Sequence, residues 1–219
     1  MRSALCADGA KQFKRKPPRA ALGRSGWTGG LQMKVMTSEE AFDGRASVVA
    51  LGMFDGVHVG HQRLIREAVR LARELDAQSV VCTFDRHPLS VICPARAPEP
   101  VLTLAENLAK FEALGADCAL VTPFTPEFSQ TPPEDYLRSL VEHLRVRAVV
   151  VGENYTFGRG GMGDAAMVRW LAGECGYLAR VVEPVRDGEG MVSSTRIRAM
   201  LQNGELARAQ ALLAIRPEE

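Results

Sequence analysis

The chain of 219 residues is long enough to form one α/β domain with a buried core. Hydrophobic residues make up 46% of the sequence and charged residues 24%, which is ordinary for a soluble globular protein. The formal net charge of +1 argues against nucleic acid as a general partner. A membrane span is not expected either, because no apolar run approaches the roughly 20 residues that one requires.

The first 32 residues differ in composition from the rest of the chain. They hold seven Lys or Arg residues against one acid, whereas the remainder holds 20 basic and 25 acidic residues. Pro, Gly and the lack of a sustained apolar period predict a disordered basic tail over 1–32, followed by a single domain over 33–219. Either this tail contacts RNA or an anionic surface, or the start site has been placed too early and Met33 is the true beginning.

The five cysteines are odd in number and lack the CxxC spacing of zinc sites. Neither a disulfide framework nor a metal site in the protein is therefore expected. The N-terminal segment also lacks the apolar core of a signal peptide. Together these observations predict a cytoplasmic location.

Beyond the tail, apolar strands alternate with amphipathic helices. Strands are predicted within 46–54, 79–84, 116–124, 146–154 and 177–184. Helices are predicted over 64–75, 102–115, 132–144 and 164–175. Two short helices follow, one before and one after Asn203-Gly204. This order, without an internal repeat, predicts an α/β fold with a doubly wound parallel sheet. Ligands bind at the carboxyl ends of the strands in such a sheet, where the motifs below fall.

The sequence GMFDGVHVGHQ, residues 52–62, places His58 and His61 between a glycine-rich turn and the first helix. Unpaired N–H groups and the positive end of the dipole favour an anion at a helix start. A metal site would need further ligands, and the remaining histidines, His87 and His143, form no ligand-spaced pair. Most H-x-x-H pairs are helix-capping or core residues, but the glycine context here favours a phosphate cradle.

A second motif, VSSTRIRAML at 192–201, opens a helix near the end of the chain. Its hydroxyl residues, Ser193, Ser194 and Thr195, are typical of a helix N-terminus. Arg196 and Arg198 follow in the first turn, where cations oppose the helix dipole unless an anion is bound. Two helix starts suited to anions predict a polyphosphate held between them.

These motifs also carry a family resemblance. H-V-G-H at 58–61 and V-S-S-T-R-I-R at 192–198 resemble the two signatures of the HUP-type nucleotidyltransferase superfamily, which has a Rossmann-like fold. With TFDRHP at 83–88 and VVVGENYTFGRGGMGD at 149–164, the chain is similar over about 46–213 to the FMN adenylyltransferase domain of bacterial FAD synthetases.

The resemblance implies transfer of AMP from ATP to FMN, giving FAD and diphosphate, with Mg2+ bound through the ATP phosphates. The implied catalytic residues are His58, His61, Ser194, Thr195 and Arg198. The expected ATP-binding residues are Gly52, Phe54, His58, Gly60, His61, Ser193, Ser194, Thr195, Arg196 and Arg198. The expected FMN-binding residues are His87, Asn154, Tyr155, Phe157 and Arg159.

Three features depart from the family pattern. Where bifunctional relatives continue into a riboflavin kinase domain, this chain reads LLAIRPEE, so no kinase domain is expected and a separate kinase would supply FMN. Arg86 replaces a proline in the segment that covers the flavin, and Met191 replaces a basic residue before V-S-S-T. Both substitutions bear on FMN as the acceptor.

Two other functions remain open on the sequence alone. A nucleotidyltransferase of the same superfamily could act on another phosphomonoester, such as nicotinamide mononucleotide or phosphopantetheine, or could use CTP. The chain could also be a non-catalytic paralogue that binds flavin or nucleotide.

Overall fold

The computed structural model of the protein describes residues 32–43 and 46–216, so the predicted tail lies outside the described residues except for Gln32. The strands are β1 (Lys34–Met36), β2 (Ser47–Leu51), β3 (Gln78–Phe84), β4 (Cys118–Thr122), β5 (Val146–Gly152), β6 (Leu178–Val182), β7 (Arg186–Asp187) and β8 (Gly190–Met191). The α-helices are α1 (Val59–Glu74), α2 (Leu89–Ile92), α3 (Leu104–Ala113), α4 (Pro133–Leu144), α5 (Ala165–Cys175), α6 (Ser194–Gln202) and α7 (Leu206–Leu213).

Strands β1 to β6 form one parallel sheet in the order β1-β4-β3-β2-β5-β6. The chain steps outward from β2 through β3 to β4 and then returns to the other side of β2 with β5. This reversal creates a crevice at the carboxyl ends of β2 and β5, where ligands bind in doubly wound sheets. The predicted α/β fold with a Rossmann-like parallel sheet is confirmed.

Helices cover both faces of the sheet, as an all-parallel sheet requires. Successive β2 residues alternate between the two faces: Val49 belongs to the apolar cluster beneath α4 and α5, and Val48 to the cluster beneath α1 and α3. A third, smaller cluster joins α6 and α7 to the start of α1 through contacts that include Ile197 and Val59. This cluster brings the N-terminus of α6 beside that of α1.

Each predicted strand and helix has a counterpart in the structure, and Pro133 starts α4 as expected. The sequence pattern did not predict β1, the β7–β8 hairpin or the single turn of α2. These elements have two to four residues each, which is too short for an apolar period to be recognised. Within the described part of the chain, no helix has the length and apolarity to cross a membrane.

Candidate active site

The turn between β2 and α1 has a strained backbone. Phe54 and Val57 have φ angles of 50° and 43°, and Gly56 has a φ of 87°. The left-handed region is costly for a residue with a Cβ, above all for a β-branched one such as Val57. Phe54 and Val57 are fully buried, so tertiary contacts hold them in this conformation. Backbone strain of this kind concentrates at functional sites.

His58 is the N-cap of α1, and its ring stacks on that of His61. Nδ1 of His58 accepts the backbone N–H of His61 at 3.4 Å, and the ring centroids are 3.7 Å apart. Because Nδ1 is an acceptor, a neutral His58 ring carries its proton on Nε2. Capping therefore leaves one donor for a ligand, so the capping and phosphate-cradle interpretations are compatible. Nδ1 of His61 is buried with no hydrogen-bond partner among the described residues.

Both imidazoles are held in the neutral form. Burial lowers the pKa of His58 to about 4. Burial, with a smaller contribution from the charge of His58, lowers the pKa of His61 well below its ordinary value. A bound polyanion would raise both pKa values, because a nearby negative charge favours the protonated ring.

The start of α6 is tied to the turn before α1. Ser193 is the N-cap, and its Oγ accepts the backbone N–H of Arg196 at 3.3 Å. The hydroxyl of Ser194 instead donates to the backbone carbonyl of Asp55 at 2.8 Å. Thr195 is exposed on the first turn. Of the three hydroxyl residues in the motif, only Ser193 caps the helix.

Arg196 and Arg198 each have a carboxylate partner. Arg196 contacts Asp187 and Glu189 of the β7–β8 hairpin, each at 2.8 Å. Arg198 contacts the buried Asp55 at 2.8 Å. These acids offset the unfavourable interaction of the two arginines with the helix dipole, so a bound anion is not required to explain their position. Neither arginine lines the cavity described next, so their contacts with ATP stay predictions.

The N-termini of α1 and α6 open onto one cavity of about 340 Å³ at the carboxyl ends of β2 and β5. We call it the polar cavity. It brings together ten of the residues singled out in the sequence: Gly52, Phe54, His58, Gly60, His61, Asn154, Tyr155, Ser193, Ser194 and Thr195.

The glycines of the β2–α1 turn make room for aromatic rings. A Cβ on Gly60 would lie 3.1 Å from Cε1 of His58, and one on Gly52 would lie 2.9 Å from Cζ of Phe54. Both glycines are among the residues expected to bind ATP, and that role stays a prediction. In the structure they let the neighbouring rings pack against the backbone.

A second cavity has a volume of about 210 Å³. Most of the side chains that line it were not among the predicted site residues. We call it the aromatic cavity. Its aromatic residues are Phe84, Phe124, Phe128, Tyr136 and Phe157, and a glycine-rich loop at 158–161 completes it. Tyr155 lines the polar cavity and stacks on Phe157 with ring centroids 5.4 Å apart and planes 15° apart. This stacked pair separates the two cavities.

His87 lines neither of these cavities; it lies in a third one, which Asp55 and Arg86 also line. The pKa of His87 is lowered mainly by burial and secondarily by the charge of Arg198. Nδ1 of His87 accepts the backbone N–H of Leu89 at 3.1 Å. The amide of Asn154 contacts Sδ of Met191 at 3.3 Å. Arg159 is exposed, in the loop whose glycines line the aromatic cavity.

Asp55 is a site residue that the sequence analysis did not single out. It is only 5% exposed, and Oδ1 accepts the backbone N–H groups of Val101 at 2.8 Å and Leu102 at 3.4 Å while Oδ2 accepts Arg198. One signal was available in GMFDGVH, where an acid stands among apolar and glycine residues. A buried acid needs partners, and here they come from remote segments.

Comparisons with known proteins identify relatives. The family model described as FAD synthetase matches residues 41–196. A Geobacillus thermodenitrificans protein, provisionally named a bifunctional riboflavin kinase/FMN adenylyltransferase, is 36% identical over 83% of this chain and 97% of its own length. The enzyme of that name from Listeria monocytogenes is 36% identical over 76% of this chain, which spans about half of it (53%). A solved structure titled macrolide-efflux protein, from Streptococcus pneumoniae, has a TM-score of 0.71 at 29% identity, covering 83% of this chain and 59% of that one.

Replacing Gly60 with alanine should displace His58. The new methyl group would lie 3.1 Å from the ring, so we expect ATP to bind about tenfold more weakly, a cost of about 1.4 kcal/mol. Calorimetric titration with ATP measures this. Gly173→Ala in α5 is the matched control, because its Cβ would meet nothing within 4 Å. Equal affinities for the two variants would contradict the proposed packing.

The lowered pKa of His58 makes stability depend on pH. Protons bind His58 in the unfolded chain below its ordinary value of 6.5 but bind the folded chain only below about 4. The contribution of neutral His58 to the free energy of unfolding is complete above pH 6.5 and decreases as the pH falls towards 4. Between pH 7.5 and 5, we expect wild type to lose about 2 kcal/mol more unfolding free energy than His58→Asn, which keeps a capping side chain. Urea unfolding at both pH values tests this, and parallel losses would show that His58 titrates normally.

Proposed function

Because the chain belongs to the FAD synthetase family, we propose that it transfers AMP from ATP to FMN, forming FAD and diphosphate. The observation that carries this proposal is the pairing of two cavities. The polar cavity has the N-termini of two helices and a neutral histidine pair, and its Tyr155 stacks on Phe157, which lines the aromatic cavity. A triphosphate suits the first cavity and a flat aromatic ring system suits the second.

The polar cavity supports in-line attack of the FMN phosphate on the α-phosphorus of ATP. His58 and His61 would donate to the α- and β-phosphates, where charge builds as diphosphate leaves. Ser194, Thr195 and Arg198 would hold the β- and γ-phosphates, with Ser193 and the N–H groups of α6 beside them. The FMN phosphate is already anionic near neutral pH, so the reaction depends on positioning and charge stabilisation and needs no base.

We also propose that ATP enters as its Mg2+ complex. The described residues contain no group of three or more His, Cys, Asp and Glu side chains that could hold a metal. Asp55 already accepts Arg198 and two backbone N–H groups. Mg2+ that is held by the ATP phosphates and water needs no such group of protein ligands. It would neutralise charge on the leaving diphosphate.

The aromatic cavity is the proposed place of the isoalloxazine ring. Phe128 lines it and lies edge-to-face with Phe84, Phe124 and Tyr136, with centroids 5.7–5.8 Å apart. The flavin would pack against these rings and Phe157. Tyr155 and Asn154 line the adjacent polar cavity and would lie where the FMN phosphate meets ATP.

Other parts of the proposal concern FMN binding and supply. Arg159 would contact FMN from the glycine-rich loop of the aromatic cavity, and His87 from the neighbouring cavity, which shares Phe84 with it. Arg86 is exposed and pairs with Asp85 at 2.8 Å, an arrangement compatible with FMN binding. FMN would come from a separate riboflavin kinase. Cys82, Cys93 and Cys175 form no disulfide bond, which supports the proposed reducing, cytoplasmic location.

The test is product formation by the purified full chain with ATP and Mg2+, using FMN and riboflavin as separate acceptors. We expect FAD and diphosphate from FMN and no product from riboflavin. His61→Ala should lower kcat about 100-fold or more, because a donor to the developing charge is lost. His143→Ala is the control, since that histidine is exposed on α4.

Three outcomes would contradict the proposal. Product from nicotinamide mononucleotide or phosphopantetheine, but not from FMN, would identify a different acceptor. Turnover with CTP in place of ATP would identify a different donor. Tight binding of ATP and FMN without release of diphosphate would identify a non-catalytic paralogue.

Phe128→Ala should separate the two cavities by kinetics. Because Phe128 lines only the aromatic cavity, we expect the KM for FMN to rise about tenfold and the KM for ATP to change less than about twofold. Trp170→Ala removes a 52% exposed aromatic residue on α5 and should change neither. A larger effect on ATP than on FMN would place the flavin elsewhere.

A further inference from the structure

The carboxylate of Asp55 joins three segments that are remote in sequence. Oδ1 accepts N–H groups from residues 101 and 102, ahead of α3, and Oδ2 accepts Nη1 of Arg198 in α6 at 2.8 Å. The backbone carbonyl of Asp55 accepts the hydroxyl of Ser194 at 2.8 Å. This one residue of the β2–α1 turn therefore contacts two side chains proposed to hold the ATP phosphates.

The ion pair between Asp55 and Arg198 is mostly buried, with side chains 7% and 17% exposed. Desolvation consumes most of the Coulomb attraction in such pairs, and apolar replacements are often no less stable. Its contribution to the free energy of folding is thus a weak explanation for its presence. Its geometry is a better one, because Nη2 of Arg198 also lies 3.4 Å from Oγ1 of Thr195. The guanidinium is therefore held through Nη1 by Asp55 and through Nη2 by Thr195.

We propose that Asp55 is a positioning residue, which presets Arg198 and the start of α6 for the diphosphate that leaves ATP. This inference rests on the proposed function. An arginine on a flexible side chain loses rotamer freedom when it binds, and a preset one has already lost it. The carboxylate also compensates the arginine charge while the polar cavity holds no phosphate.

Asp55→Asn isolates the contact with Arg198. The amide oxygen can still accept the N–H groups of residues 101 and 102, whereas the amide NH2 faces the guanidinium, donor against donor. Because the preset arginine contacts charge that develops in the transition state, we expect kcat to fall about 100-fold. The KM for FMN should change less than about twofold. Diphosphate binding, measured by calorimetry without flavin, should weaken about tenfold.

Asp117→Asn is the matched control. Asp117 accepts the N–H and the hydroxyl of Ser79 at 2.8 and 2.7 Å, at the start of β3 and thus at the opposite end of the sheet. This variant should lose stability without losing kcat. Melting temperatures of both variants separate a general loss of stability from a specific loss of activity.

A double-mutant cycle decides whether Asp55 acts through Arg198. If it does, Asp55→Asn combined with Arg198→Gln should be no slower than Arg198→Gln alone. Multiplicative losses, or wild-type kcat and diphosphate affinity in Asp55→Asn, would overturn the inference. If wild type makes no FAD, the proposed function fails, and the same cycle read by diphosphate affinity still tests the positioning role.

Discussion

A strained backbone turn held by buried hydrogen bonds determines where the rest of the site can lie. Phe54 and Val57 are left-handed, at a cost of about 1–3 kcal/mol each. The N–H of Gly56 donates to the buried Oδ1 of Asn107 in α3 at 3.1 Å, and Asp55 accepts two further backbone N–H groups. These bonds hold the chain in a tight path from β2 into α1. Consequently α1 begins with His58 as its cap, at the switch point of the sheet.

Electrostatic balance within the site follows from this geometry. The two imidazoles are neutral because burial lowers their pKa values, and Arg196 and Arg198 are paired with acids. The polar cavity thus offers hydroxyls and neutral imidazoles, and its lining includes Glu153 and Glu183, whereas the two arginines outside that lining are compensated by acids. Donors preset in a poorly solvated cavity stabilise developing negative charge better than mobile ones. A polyanion can enter such a cavity without first displacing a bound counter-ion from the histidines.

Much of the fold was predictable from the sequence. Mainly apolar strands of five to seven residues alternate with helices that have clear apolar periods, and this pattern predicted all but one strand of the parallel sheet. The histidine and serine-threonine motifs were predictable because helix-start chemistry is local. The edge strand β1 and the β7–β8 hairpin were not, because their few residues are ordered by pairing with remote or adjacent backbone and not by their own apolar pattern.

The sequence by itself determined the order of strands and helices and the presence of two helix starts with anion-binding chemistry, because both depend on neighbouring residues. Only the tertiary structure decided that Arg196 contacts the hairpin and that Arg198 contacts Asp55. It also decided that Phe84 at the end of β3 and the phenylalanines after β4 join Phe157 around one cavity. Those contacts join residues far apart in the chain or on separate elements. Their partners are selected by the packing of the sheet and its helices, which no local pattern records.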